Sequence, residues 1–172
     1  MKVAQRLWRA GQGWSEIAPA RGGAAAPFSP MLVLYFAAPG TLDDGARFAE
    51  LKAFYPGARL LGCTTGGEIA ALDVHDGTVI ATAIAFEHTA VKFAQERIAA
   101  GKTSFDLGAS LARGLSAQDL HNVFLLSDGT KVNGTELVAG MQHVLGRDIC
   151  LTGGLAGEAG SPRRSHMSCA IR

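Results

Sequence analysis

Three strand-length apolar runs, each followed by a glycine-bearing turn, restrict the folds open to this chain. They are Met31–Ala37 (MLVLYFA), Ala58–Cys63 (ARLLGC) and Asn122–Ser127 (NVFLLS). Runs of this kind are the pattern of strands buried on both faces. Helical stretches stand among them. Thr41 and Asp44 form a capping-box-like start, Phe48, Leu51 and Phe54 follow at helical spacing, and Tyr55-Pro56-Gly57 ends the stretch. Thr103 and Asp106 open a second helix with the stripe Leu107, Leu111 and Leu115. Asn133 and Glu136 open a third, lined by Leu137, Met141, Val144 and Leu145 and stopped by Gly146. Thr78–Phe86 reads as a strand with Ile80, Thr82, Ile84 and Phe86 on one face, and Ala90–Ile98 as its antiparallel hairpin partner. Asp148–Thr152 reads as the last strand. The order β-α-β-β-β-α-β-α-β predicts an α/β fold, with α+β the alternative: a mixed β-sheet with crossover helices and one antiparallel hairpin.

Composition narrows the class further. A chain of 172 residues suits one domain, and 48% hydrophobic with 18% charged residues excludes disorder throughout. Sixteen basic against fifteen acidic residues give a net charge of +1, which argues against a nucleic-acid partner. Cys63, Cys150 and Cys169 are an odd set with no CxxC spacing, which points to a reducing compartment. No apolar run reaches the roughly 18 residues that span a bilayer. The start, MKVAQRLWRAGQGW, has no continuous apolar segment of the signal-peptide kind. The expectation is a cytoplasmic protein without a membrane partner. Residues 1–30 read as an N-terminal segment and loop, 31–158 as the folded domain and 159–172 as a polar tail.

Candidate chemistry lies where the strands end. Gly62–Glu68 (GCTTGGE), Ser127–Gly129 (SDG) and Thr152–Glu158 (TGGLAGE) are unusual loops. In open α/β sheets, ligands sit beyond the carboxyl ends of strands, so parallel neighbours would bring these loops to one rim. Backbone amides and hydroxyls there suit a carboxylate, and an acidic side chain suits an ammonium group. The candidate ligand-binding residues are Cys63, Thr64, Thr65, Gly66, Glu68, Asp128, Gly153 and Gly154. Each has a plainer reading. Glycine after a strand is most often a turn. Cys63, at the end of a buried strand, is more often a small core hydrophobe than a nucleophile. Cys150, within a strand, reads as structural. Glu68 divides evenly between ligand contact and a solvated charge or backbone cap, and Asp128-Gly129 is a common turn pair. Asn133 reads as a helix cap. The five histidines are scattered, so neither a metal nor a cofactor is expected. Gly62–Glu68 lacks the Gly-Lys-Ser/Thr ending of a phosphate loop. Trp8 and Trp14 read as packing residues.

At these loops the sequence resembles a known family. Leu61-Gly62-Cys63-Thr64-Thr65-Gly66-Gly67-Glu68-Ile69, Phe124-Leu125-Leu126-Ser127-Asp128-Gly129 and Leu151-Thr152-Gly153-Gly154-Leu155-Ala156-Gly157 are similar to the N-terminal half of FIST domains. The apolar strand Met31–Phe36 fits the same pattern, and the resemblance covers roughly Val3–Glu158. It implies a sensory, signal-transducing module that binds a small ligand, amino acids being the usual suggestion, with no catalysis. It also implies a signalling partner protein and a C-terminal FIST domain, the latter absent from this sequence. After Gly157 the family pattern is a continuing strand, whereas Ala159–Arg172 (AGSPRRSHMSCAIR) is small, polar and basic. A truncated or frame-shifted product is the expectation there. Two other function classes remain open at this point. One is a thiol-dependent hydrolase or acyltransferase using Cys63. The other is a scaffold or dimerising module without a ligand.

Overall fold

A long strand of small and β-branched residues, β7 (Thr78–Ala85), organises the first sheet. Val79, Ile80, Ala81 and Ala83 are all buried, so both faces of this strand are covered. The computed structural model describes residues 1–18, 28–98, 101–116, 118–156 and 168–169. These fall into two units, Met1–His88 and a second that begins at Thr89.

In the first unit, β1 (Lys2–Arg9), β2 (Gly13–Ala18), β3 (Leu32–Ala37), β4 (Arg59–Thr64) and β7 form one sheet in the order β2-β1-β7-β3-β4. Only β3 and β4 are parallel, joined by the helix α1 (Ala46–Phe54). The other three pairings are antiparallel, so the sheet is mixed. A short hairpin, β5 (Glu68–Ala70) with β6 (Asp73–His75), connects β4 to β7. On one face, Leu51 and Tyr55 of the α1 region pack with Val33, Ala58, Ala81 and Ala83. Leu7, Ala70 and Ile80 form a second, smaller cluster.

The second unit holds α2 (Ser104–Leu115), β8 (Asn122–Asp128), α3 (Gly134–Leu145) and β9 (Cys150–Ala156). β8 and β9 are parallel with α3 as the crossover, and β10 (Ser168–Cys169) pairs antiparallel with β8. Leu107, Leu111, Leu115, Val123, Leu137 and Met141 form its core. The two helices approach through glycine on both sides. A Cβ on Gly108 would collide with the Leu137 carbonyl, and one on Gly140 with the Phe105 carbonyl. Reciprocal backbone contact of this kind tolerates no side chain.

The α/β class and mixed sheet agree with the sequence reading, and the caps of α2 and α3 form as expected. Thr103 and Asp106 satisfy each other's backbone in a full capping box, and Asn133 accepts the Glu136 amide at 3.2 Å. Several expectations are corrected. The hairpin partner assigned to 90–98 is not a strand beyond a single bridge at Ala94, because β1 and β3 already occupy both edges of β7. The antiparallel hairpins are β1–β2 and β5–β6 instead. Part of the segment read as loop, Lys2–Ala18, supplies two strands. The Thr41/Asp44 cap does not form: Gly45, at φ 72°, occupies the N-cap of α1, and Thr41 donates to Ala38 O. Of the stripe Phe48, Leu51 and Phe54, only Leu51 is buried. Apart from Ser168–Cys169, the tail expectation falls outside the described residues.

The helix contact makes a prediction. Gly108→Ala raises helix propensity by about 1 kcal/mol, yet the methyl must enter backbone. Net destabilisation of about 1–3 kcal/mol is expected in urea unfolding. An unchanged or raised midpoint would contradict the close approach.

Candidate functional site

Strand direction places the site. β3 and β4 are parallel, so their carboxyl ends share one rim of the first sheet, and antiparallel β7 begins at that same rim. Two backbone hydrogen bonds join these ends: Ala38 N to Thr78 O at 3.0 Å and Thr65 N to Ala37 O at 3.0 Å. The result is a cavity of about 140 Å³ lined by Ala38, Pro39, Thr65, Gly66, Gly67, Glu68, Asp76 and Gly77. Gly77, at φ 68°, makes the turn into β7.

Glu68 is the chemical centre of this cavity. Only 1% of its surface is exposed. Thr65 Oγ1 donates to Oε1 at 2.9 Å, while Thr78 Oγ1 and Thr78 N donate to Oε2 at 2.9 and 3.3 Å. Among the described residues no cationic side chain lies within 4.0 Å of its carboxylate. Burial of a carboxylate costs several kcal/mol, which hydrogen bonds offset only in part. The lining adds a second carboxylate, Asp76, and no basic side chain. Beside Glu68, a side chain on Gly66 would meet nothing within 4 Å, so backbone faces open space there.

The other candidates are placed as follows. Cys63 and Thr64 are the last two residues of β4, not part of the loop. Cys63 is half-buried opposite Phe36, and burial pushes its thiol up to about 11. Neighbouring Tyr35 has its phenol raised by burial first and by Cys63 second. Its ring lies against Gly62, where a Cβ would strike both ring and carbonyl oxygen.

Asp128 ends β8 in the second unit and is 2% exposed. Its Oδ1 accepts from Thr130 N and Thr130 Oγ1 at 2.8 and 2.7 Å, and Lys131 Nζ lies 3.4 Å from Oδ2. Burial acts to raise this carboxyl, but those hydrogen bonds and the Lys131 charge outweigh it and leave the pKa lowered. Gly153 and Gly154 are residues of β9, which continues to Ala156 and past the expected end at Thr152. Gly153 has φ 140°, and a Cβ there would strike Leu125 backbone.

The structure therefore brings Thr65, Gly66 and Glu68 into one cavity. β4 belongs to one sheet and β8 with β9 to another, so the three loops do not follow parallel neighbours of a single sheet. Ala38, Pro39, Asp76 and Thr78 were missed. The Asp76-Gly77 turn pair directly ahead of the β-branched run was a signal for the far wall. Trp8 and Trp14 act in packing: Arg47 sits 4.5 Å over the Trp8 ring, and Trp14 Nε1 donates to Glu50 at 2.6 Å. Among the described residues, no group of three or more His, Cys, Asp or Glu is placed to hold a metal ion. No helix among them is long and apolar enough to cross a membrane.

Comparison with known proteins identifies the fold family. The family model of the FIST N domain matches residues 31–170, well over half the chain, and the protein belongs to that family. FIST domains are sensory modules and are not a known enzyme family. A search of curated proteins returns no match.

The Cys63 environment makes a prediction about thiol chemistry. A thiol with a raised folded pKa stays neutral at neutral pH. Its contribution to stability is complete below the unfolded-state pKa and is lost as pH rises toward about 11. Iodoacetamide at pH 8 is expected to label exposed Cys150 far faster than Cys63, with Cys63 accelerating only in strong alkali. A Cys63 rate that levels off below pH about 8.5 would instead indicate an activated nucleophile.

Proposed function

We propose that this protein senses a small ligand bearing an ammonium group, an amino acid being the class that fits, in the cavity at the β3, β4 and β7 rim. The single observation that carries the reading is Glu68: a buried carboxylate lining an open cavity, held by two threonines and without a cationic partner among the described residues. A ligand ammonium supplies the charge that the fold leaves out. The cavity is close in volume to the roughly 150 Å³ apolar void that takes up benzene, so it suits a compact molecule.

The glycine backbone at Gly66 offers the approach for the ligand's carboxylate, since it faces open space, whereas Gly67 lies against Val74. Thr65 serves Glu68 directly, so its hydroxyl orients the acid rather than standing ready as a free donor. Cys63 and Thr64 support the loop from the end of β4. Asp128 is occupied by Thr130 and Lys131, so Glu68 is the better ammonium acceptor. Binding transmits a signal only if the ligand prefers one conformation of the domain over another that a partner protein reads.

A thermal-shift screen of amino acids, small amines and small carboxylates tests this reading. A ligand at a hundredfold excess over its dissociation constant is expected to stabilise the protein by about 2.7 kcal/mol. Glu68→Gln, and independently Gly66→Val at the open side of the cavity, should abolish that shift in protein whose circular dichroism remains native. No hit at millimolar concentration, or a shift that survives both substitutions, would overturn the proposal.

A further inference from the structure

We propose that Asp76 sets the specificity of the cavity at the β3, β4 and β7 rim, selecting an amino acid that carries a second cationic group on a short side chain. It rests on the ammonium-sensing reading of that cavity and names the ligand class within it. The two carboxyl groups of the lining differ in depth. Glu68 is 1% exposed, whereas Asp76 is open to solvent. The β5–β6 hairpin brings them together: Glu68 pairs with His75, so Asp76 follows directly on the partner of the buried acid. Asp76 Oδ1 lies 3.8 Å from the point that a Cβ on Gly67 would occupy, which sets the outer acid beside the glycine pair.

Neither acid is saturated. Glu68 Oε1 accepts from Thr65 alone among the described residues, and a carboxylate oxygen has room for two hydrogen bonds. The Asp76 side chain has no hydrogen-bond or ion-pair partner among the described residues. Arg9, which reaches this hairpin, lies 3.4 Å from His75 Nδ1 and forms no ion pair with Asp76. Ala38 and Pro39 add an apolar wall, against which the methylenes between two cationic groups can lie. A cavity of about 140 Å³ keeps that stem short. The lining holds no basic side chain, so a second carboxylate on the ligand would meet two acids with nothing to pair it. The same wall that draws a basic amino acid therefore rejects an acidic one.

Calorimetric titration of the 172-residue chain with ornithine, norvaline and glutamate tests the selection. Ornithine and norvaline share one carbon skeleton and differ by the terminal ammonium. Ornithine is expected to bind about fivefold tighter than norvaline, the upper end for an exposed ion pair, and glutamate more weakly than either. Asp76→Asn should remove the ornithine preference and leave norvaline binding unchanged. Asp73→Asn, on the same hairpin but outside the cavity lining, should leave the preference intact. Norvaline or glutamate binding as tightly as ornithine would overturn the proposal while the amino-acid reading stands. So would a preference that survives Asp76→Asn or is lost equally in Asp73→Asn. Binding of none of the three at millimolar concentration would overturn the amino-acid reading itself, and the selection with it.

Discussion

The hydrogen bonds from Thr65 and Thr78 to the Glu68 carboxylate are the interaction on which the rim of the first unit's cavity depends. They tie the glycine-rich connection after β4 to the first residue of β7, across ten positions of sequence between Glu68 and Thr78. Hydrogen bonds to a charged group are worth roughly 1.5–3 kcal/mol each. Three of them hold a loop that carries two adjacent glycines and would otherwise have wide conformational freedom. The same bonds hold a carboxyl group inside the protein, with no cationic side chain of the described residues within 4.0 Å. Order in the loop and burial of the Glu68 carboxyl thus have one physical origin.

Close backbone approach is the second constraint, and it recurs in both units. Gly62 lets the Tyr35 ring and carbonyl approach the neighbouring strand closely, and at the next residue burial keeps the Cys63 thiol neutral. Gly108 and Gly140 let two helices meet backbone to backbone. Glycine in these places serves packing and not turn formation. Abundant glycine in the sequence therefore marks two different things, contact points in the interior and open backbone at the cavity.

Much of the architecture was legible because local signals and tertiary demands agree. The Thr103–Asp106 box and the Asn133 cap are side-chain chemistry that works within four residues, so no distant partner can override it. Where the signal depended on a distant partner, reading failed. Val91, Lys92, Phe93 and Ala94 alternate as a strand would, but β7 has no open edge to receive them. β1 was hidden because Gln5, Arg6 and Arg9 stand among its apolar residues. Their long stems are part-buried, with Arg6 bonded to Tyr55 and packed over Phe54. The cavity was half legible. The glycine run announced the near wall and Glu68, while Asp76 and Gly77 enter through a β5–β6 hairpin too short to leave a periodic pattern.

The central claim concerns where a ligand's charge goes. Amide-resolved NMR titration of the isotope-labelled chain with a small amino acid tests it directly. Saturable shifts at Thr65, Gly66, Gly67, Glu68 and Thr78, with none on adding acetate alone, are the predicted result. Saturable shifts confined to other residues, or none at this rim, would contradict the account.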